Sequence, residues 1–244
     1  MKRALKHLPG FLILLSFSAQ AEPETSAAAS PLIKASPARG WSAGAALSFA
    51  RRELRVDGAL METDLRSFTA RVGIDLIPSV HPWVEVGAVK ADRDDFEGEN
   101  GPTWAVGVDA NLVEFVVAGH PSMPRKKILR LGGEVSYRES ESNFADADFS
   151  WSELLLCPRV SYVIDHRGSE AWKGYSPTGS AYYGGLVISS IDGDFASASV
   201  EANRNFGFEL GGRFRLADGV VTELSGIFYG DKDRAIRLGF AYHF

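Results

Sequence analysis

The chain is 244 residues long and mildly acidic, with a formal net charge of −5. Its only cluster of basic residues is Arg125, Lys126 and Lys127, which argues against a nucleic-acid-binding role. The single cysteine, Cys157, excludes an internal disulfide framework. No segment beyond the N-terminus is long and apolar enough for a transmembrane helix, so any part that spans a membrane has to be a β-barrel.

The N-terminus has the three parts of a secretory signal peptide in the expected order. Basic residues precede a short apolar run at residues 11–17, and a small-x-small cleavage pattern ends at Ala21. The apolar run is shorter than the about 20 residues that a transmembrane helix needs. We therefore expect a signal peptide at residues 1–21, a flexible linker rich in Ala, Ser and Pro at residues 22–40, and one folded domain at residues 41–244.

From Trp41 onwards, apolar residues alternate with small or polar ones in segments that are separated by turn residues. Asp57-Gly58 is the strongest short-range signal for a β-hairpin. Pairing the strands outward from this turn places Leu47 opposite Phe68 and matches apolar face with apolar face. A slip of one residue would move Arg71 to the apolar face, so the pattern predicts this register.

The chain contains ten such segments, each near the about 9–11 residues with which a tilted strand crosses a bilayer. They predict an all-β fold, an antiparallel up-and-down transmembrane β-barrel of ten strands with both termini on the periplasmic side. Eight strands is the alternative, because the connections at 119–127 and 165–179 are longer than typical periplasmic turns. Four aromatic residues near strand ends are expected in the aromatic girdles: Trp41, Trp83, Trp151 and Tyr242.

A soluble β-barrel or sandwich has the same two-residue period, so alternation alone does not exclude it. However, Arg and Glu recur on one face of many strands, and the other face is nearly free of charge. A charge that faces lipid at the bilayer midplane costs about 2–4 kcal/mol. This segregation favours the membrane barrel. Glu114 is an exception on the apolar face, and either an interfacial position or a β-bulge would explain it.

The last eleven residues have one apolar face, which ends at the C-terminus. Its members are Ile236, Leu238, Phe240, Tyr242 and Phe244. We expect Phe240 to lie opposite Leu224 of the preceding strand, and the last strand to pair with the first and close the barrel. With the signal peptide, the linker and the hairpin array, this ending resembles the small bacterial outer-membrane barrels of the OmpA-like and opacity-protein type. The resemblance covers residues 41–244 and implies a Gram-negative outer membrane. It also implies that the terminal pattern is an assembly signal for the barrel-assembly machinery.

The inner face collects acidic and basic residues in nearly equal numbers. The predicted lumen charge network consists of Arg71, Asp75, Glu85, Asp109, Arg130, Glu134, Glu153, Arg159, Glu209, Arg213, Arg215 and Arg237. A barrel of eight to ten strands has little interior room, so we expect these groups to pair across the lumen. The alternative is a narrow charged pore or gate.

The sequence favours neither an enzyme nor a metal site, and it implies no cofactor. The histidines beyond the signal peptide lie at or below the periplasmic rim in this topology: His81, His120, His166 and His243. His81 and His120 each precede a proline in a turn, which favours polar turn groups over a His-based catalytic site. The acidic loops, at residues 92–99 and 139–148, lack a fixed metal-site spacing and are expected to be solvated.

We therefore expect a monomeric outer-membrane barrel with a structural or surface-interaction role. Its expected partners are outer-membrane lipid, lipopolysaccharide and the barrel-assembly machinery, and not nucleic acid. A small porin-like diffusion channel is the first alternative, and a lipid-modifying enzyme is the second. A specific activity would be carried by the extracellular loops.

Overall fold

The structure is a computed structural model that describes residues 40–76, 79–93, 96–117, 126–144, 147–165, 179–216 and 220–243. The predicted signal peptide, the linker up to residue 39, His120, His166 and Phe244 lie outside the described residues. The described residues form these strands: β1 Trp41–Val56, β2 Ala59–Ile74, β3 Val80–Arg93, β4 Phe96–Val117, β5 Lys126–Phe144, β6 Ala147–Asp165, β7 Gly179–Phe195, β8 Ala198–Ala202, β9 Phe206–Arg215, β10 Val220–Phe228 and β11 Arg234–His243. Over the same residues, no helix has the length and apolar character to cross a membrane.

The strands form a closed antiparallel barrel with up-and-down order. Each of β1 to β7 pairs with its neighbour in the chain, β7 continues to β9, and β11 closes the barrel by pairing with β1, where Ala45 lies opposite Phe240. Ten strands, all except β8, make up the wall in the part of the barrel that contains β9, β10 and β11. The predicted all-β ten-stranded barrel is confirmed, and the eight-stranded alternative is wrong for this part of the wall.

The first hairpin has the predicted register. Leu47 lies opposite Phe68, and the paired residues run outward without a slip from the turn at Asp57-Gly58. Asp57 has φ 47° and Gly58 has φ 84°. Positive φ at both central residues is what a type I′ turn needs, and this turn matches the twist of the flanking strands. A short local signal therefore sets the pairing of two long strands.

The predicted register of the last hairpin is wrong by two residues. Leu238, not Phe240, lies opposite Leu224, and strand pairing ends where Phe228 meets Arg234. The connection is a five-residue loop rather than a tight turn, and the Tyr229 N–H donates to the Asp233 carbonyl at 2.8 Å. A shift of two residues keeps each side chain on its face, so the predicted faces are unchanged.

A β-bulge in β4 explains the position of Glu114. The β4–β5 register shifts between Asn111 and Val113, with Leu112 as the extra residue. A bulge reverses the inward and outward positions of the residues that follow it. Glu114 therefore lies opposite Arg130 on the inner side, and its carboxylate pairs with that guanidinium at 2.5 Å.

Strands β1 to β7 have 14 to 22 residues, which is longer than the predicted strands, whereas β9, β10 and β11 have only 9 or 10. The long strands therefore extend beyond the short ones at the end of the barrel that carries the Asp57-Gly58 turn, here called the loop end. The opposite end, where β1 begins and β11 ends, is the terminal end. Above the short strands, β8 lies between β7 and β1 and pairs with both. The barrel thus narrows from ten strands to eight towards the loop end, and both levels are closed.

The polarity of both faces reverses at the level where the strand number changes. On the terminal side of this level, the outer face is an apolar belt that includes Trp41, Leu47, Phe49, Phe68, Val84, Val86, Val106, Leu131, Leu154, Leu156, Val160, Leu186, Leu210, Leu224, Leu238 and Phe240. On the loop side, the same faces carry Arg51, Arg55, Glu62, Asp64, Lys90, Glu139, Glu141 and Asp192. The inner face changes in the opposite sense, from charged to apolar.

The interior at the loop end is a hydrophobic core, here called the apolar cap. Its buried members are Leu54, Met61, Val89, Ala91, Phe144, Phe149, Trp151, Ile191 and Val200. Phe149 is 1% exposed and stacks on Trp151 with ring centroids 4.5 Å apart. The interior of an eight-stranded barrel is just wide enough for side chains to fill. The cap therefore closes the lumen at this end with packed side chains.

Two of the predicted girdle residues are not in a girdle. Trp41 and Tyr242 are exposed, as expected, but Trp83 and Trp151 are 4% and 6% exposed. Trp83 lies inside the lumen, where the Arg71 guanidinium is 3.6 Å from its ring centroid. Trp151 belongs to the apolar cap. Both side chains have the inward position in the alternation of their strands, and this position determines their place more strongly than nearness to a strand end.

We expect Phe149→Ala to lower the free energy of unfolding by about 3–5 kcal/mol, because it leaves a cavity in a packed core. The matched control is Phe206→Ala, since Phe206 is 72% exposed. The measurement is the temperature at which detergent-folded protein converts to the unfolded band in gel electrophoresis. Equal midpoints for the two variants would contradict a packed cap.

Candidate functional site in the barrel lumen

Below the apolar cap, inward-facing side chains of several strands form two ionic clusters. In one, the Arg159 guanidinium contacts three carboxylates: Asp109 at 3.3 Å, Glu134 at 2.9 Å and Glu209 at 2.5 Å. These four residues lie on β6, β4, β5 and β9, so the cluster joins much of the wall across the lumen. The Cys157 thiol is buried beside it and donates to Glu209 at 3.0 Å.

The second cluster has the opposite composition. The Glu85 carboxylate on β3 contacts three guanidinium groups: Arg71 at 2.9 Å, Arg138 at 2.7 Å and Arg237 at 2.6 Å. These arginines come from β2, β5 and β11. Glu85 is 2% exposed. Charge-assisted hydrogen bonds of this length are the strong ones, and they compensate the cost of keeping a carboxylate in the interior.

Smaller ionic groups lie on either side of these clusters. Towards the loop end, Arg52 contacts Glu153 at 3.1 Å and Asp233 at 2.9 Å. Its guanidinium carbon lies 4.2 Å from the centroid of the Tyr229 ring. Elsewhere in the lumen, Arg213 contacts Glu223 at 3.1 Å.

At the terminal end, the Asp75 carboxylate accepts from His81 rather than joining an arginine. Asp75 Oδ1 lies 2.8 Å from His81 Nδ1, and His81 Nε2 lies 3.2 Å from the Ser42 hydroxyl. The three groups come from the start of β1, the residue after β2 and the start of β3. A chain of serine, histidine and carboxylate in this order is able to pass a proton from the serine to the imidazole.

The structure thus places the predicted lumen residues in several separate groups. Arg71, Glu85 and Arg237 share one cluster, and Asp109, Glu134, Arg159 and Glu209 share another. Arg130, Glu153 and Arg213 pair with residues outside the predicted set, Asp75 pairs with His81, and Arg215 lies opposite Val221 on β10.

The sequence interpretation omitted five ionic partners that the structure reveals: Arg52, Glu114, Arg138, Glu223 and Asp233. Continued alternation along β1 and β10 would have placed Arg52 and Glu223 on the inner face. Glu114 required the bulge. Asp233 lies in the loop after β10, where no strand period applies.

The charged side chains leave little free volume in the lumen. Glu209 and Arg130 are each 3% exposed, and a water-filled pore would leave its lining charges exposed. A cavity of about 150 Å³ extends from Trp151 and Ile191 in the cap to Glu134 and Arg213. Within the described residues, no group of three or more His, Cys, Asp or Glu side chains is arranged to hold a metal ion.

The residues of the predicted assembly signal share the outer face of β11. Ile236, Leu238, Phe240 and Tyr242 are all exposed and continue the apolar belt. Phe244 lies outside the described residues. The structure therefore gives the first four the outward-facing positions that the alternation predicts.

Comparison with solved structures shows similarity to barrel proteins. The chain is similar to the transport unit of the autotransporter AIDA-I from Escherichia coli, with 7% identity and a TM-score of 0.41 over 95% of this chain and 97% of that one. It is also similar to the translocator domain of the autotransporter NalP from Neisseria meningitidis, with 11% identity and a TM-score of 0.33 over 84% of this chain and 88% of that one. A mutant of Rh. blastica porin has 9% identity and a TM-score of 0.16 over 84% of this chain and 100% of that one.

No protein-family model matches the chain. No curated protein matches it either. At the identities and TM-scores above, the similar structures do not assign the chain to a family, and membership of the OmpA-like family stays a prediction.

We expect Arg159→Met to destabilise the barrel by about 3–5 kcal/mol, because it leaves the buried Glu134 and Glu209 and the partly buried Asp109 without their shared cation. The matched control is Arg51→Met, which removes an arginine of the outer face that pairs with Glu62 at 3.2 Å and Asp64 at 2.8 Å. We expect little change there, since exposed ion pairs contribute little. The measurement is urea unfolding of the protein in lipid vesicles. A loss no larger for Arg159→Met than for the control would contradict the clustered arrangement.

Proposed function

We propose that the chain is an integral outer-membrane β-barrel with a structural or surface-interaction role and a closed, salt-bridged lumen. The observation that carries the proposal is the reversal of polarity on both faces of the wall at one level. A soluble barrel buries its apolar face along its whole length, whereas here the apolar belt faces outward below this level and inward above it.

The apolar belt matches what a bilayer requires. Because a bilayer core offers no hydrogen bonds, only helices and closed barrels cross it, and the ten-stranded wall has no free edge. Apolar side chains outside and charged side chains inside are typical of outer-membrane barrels. The predicted signal peptide supports export to this compartment.

The loop end matches a water-exposed surface. Above the belt, the outer faces of β1, β2 and β3 carry Arg51, Asp64 and Lys90, and the apolar side chains are inside the cap. In the proposed orientation, this end projects beyond the outer leaflet. Its charged faces and hairpins are then the part available to lipopolysaccharide or to extracellular partners. The strands below the loop end contact lipid. Because the strands of one chain close the wall, a monomer is sufficient to form the barrel.

The burial of the lumen charges favours this role over a diffusion channel. The apolar cap closes the loop end, and both ionic clusters below it occupy the interior. A conducting pore needs a continuous water path, and the cavity between cap and clusters is only about 150 Å³ in volume.

We expect purified protein in planar lipid bilayers to show no discrete conductance steps at salt concentrations where a general porin, used as the positive control, conducts. The physical reason is the packed cap together with the paired charges below it. Reproducible steps of one size would contradict the closed lumen and support the diffusion channel.

We also expect the protein to require detergent for solubility and to migrate differently in gels before and after boiling, because a closed barrel resists detergent until it is heated. The protein should fractionate with the outer membrane of the expressing Gram-negative cell. Protein that stays in solution without detergent and shows no heat-dependent shift would contradict the membrane barrel itself.

A further inference from the structure

Ser42, His81 and Asp75 form a connected polar chain at the terminal end of the lumen. His81 Nδ1 lies 2.8 Å from Asp75 Oδ1, and His81 Nε2 lies 3.2 Å from Ser42 Oγ. One tautomer satisfies both contacts. In it, Nδ1–H donates to the carboxylate and Nε2 accepts the serine hydroxyl hydrogen. This is the tautomer in which an imidazole acts as a general base towards serine.

The contact between Ser42 and His81 depends on a glycine. Gly73 lies opposite Ser42 in the β1–β2 ladder. A Cβ at position 73 would overlap His81 Nε2 and would lie 3.0 Å from Ser42 Oγ. The absence of a side chain there lets the imidazole lie across β2 and reach the serine.

Ser42 also lines a second cavity, with a volume of about 70 Å³. Arg71, Arg237 and the carboxylate of Glu223 line the same cavity, and the remaining wall is formed by Val221, Phe240 and small residues such as Gly44 and Ala46. Arg71 Nη2 is buried and has no hydrogen-bond partner among the described residues. Since Arg71 and Ser42 line the same cavity, an unpaired guanidinium N–H there is suited to stabilise an oxyanion.

We propose that Ser42, His81 and Asp75 form a hydrolase site that cleaves carboxylic esters with short acyl groups. Ser42 is the nucleophile, His81 is the general base and then the general acid, and Asp75 is a positioning residue for the imidazole. A cavity of about 150 Å³ is large enough to hold benzene, so one of about half that volume has room for an acyl group of a few carbons and not for a fatty acyl chain. This activity is separate from the surface role proposed above, and it departs from the sequence-based expectation that the chain is not an enzyme.

The reaction uses only the ester and water. Ser42 Oγ attacks the ester carbonyl carbon while its proton passes to His81 Nε2, and Arg71 faces the negative oxygen that forms. The carbon–oxygen bond to the alcohol then breaks, and the proton on His81 leaves with the alcohol. A water molecule gives its proton to His81 and attacks the acyl-serine. Release of the carboxylic acid returns the proton to Ser42.

The test uses full-length protein folded in detergent and 4-nitrophenyl acetate as the probe. We expect hydrolysis of this ester to exceed that of 4-nitrophenyl octanoate. Ser42→Ala and His81→Asn should each reduce kcat/KM for the acetate by about 10³-fold or more. Ser48→Ala is the matched control, because Ser48 lies six positions further along the same face of β1 and should leave the rate unchanged. The heat-dependent gel shift confirms that each variant is folded.

The variants Asp75→Asn and Gly73→Ala distinguish a role in positioning the His81 imidazole from a purely structural role. Both should lower kcat and leave KM for the acetate nearly unchanged, because the cavity remains while the imidazole loses its orientation. A change in KM alone would overturn the assigned role of Asp75.

Covalent labelling keeps the proposal testable even where a variant fails to fold. A fluorophosphonate reagent should add to Ser42 of the unmodified protein, and mass spectrometry of the digest should locate the adduct there. Folded protein without an adduct at Ser42, or a folded Ser42→Ala variant that hydrolyses the acetate at the rate of the unmodified protein, would overturn the hydrolase site. Preference for the octanoate would overturn the short-acyl substrate class.

Discussion

The structure depends on one constraint, which is that a β-strand cannot change which side chains point inward unless it contains a bulge. Where the outer face of this wall changes from apolar to charged, the inner face changes from charged to apolar at the same level. In β1, the outer face changes from Phe49 to Arg51, and the inner face changes from Arg52 to Leu54. The apolar cap and the ionic lumen are the two results of this exchange.

The two ionic clusters of the lumen have opposite compositions. Glu85 has three arginine partners, and Arg159 has three carboxylate partners. One cluster has an excess of positive charge and the other a matching excess of negative charge, so the two attract each other inside the same wall. Ionic groups out of water are tolerated only when paired in this way, and removing one partner costs more than the pair contributes. The lumen is therefore stable as a whole and sensitive at each central residue.

Local patterns were sufficient to predict most of the wall. The Asp57-Gly58 turn fixes the β1–β2 register, and alternation identifies the faces of the strands of the ten-stranded wall. The register of the last hairpin does not follow from alternation, because five residues rather than a tight turn connect Phe228 to Arg234, and a shift of two residues leaves both faces unchanged. Trp83 and Trp151 lie inside the barrel because the two-residue period gives them inward positions, although both are near strand ends.

The candidate site was less predictable than the wall. Inward positions of charged residues follow from the period, but partners do not, because pairing across a lumen depends on the height and twist of strands far apart in sequence. Ser42, His81 and Asp75 come from three elements, and their contact depends on the missing side chain of Gly73. A sequence shows a glycine in a strand, but it does not show which imidazole occupies the space beside it.

Strand β8 has a consequence for the order of folding. These five residues are the element that closes the wall around the apolar cap, and they join Val56 near the start of the chain to Val200 far along it. Long-range pairings of this kind form late, because a long loop has to close before they contribute any contacts. The aromatic side chains of the cap are therefore expected to stay partly exposed to water until β8 pairs with β1 and β7. The pairing of β1 with β11 spans even more of the chain, so both closures of the wall that involve β1 are expected late in folding.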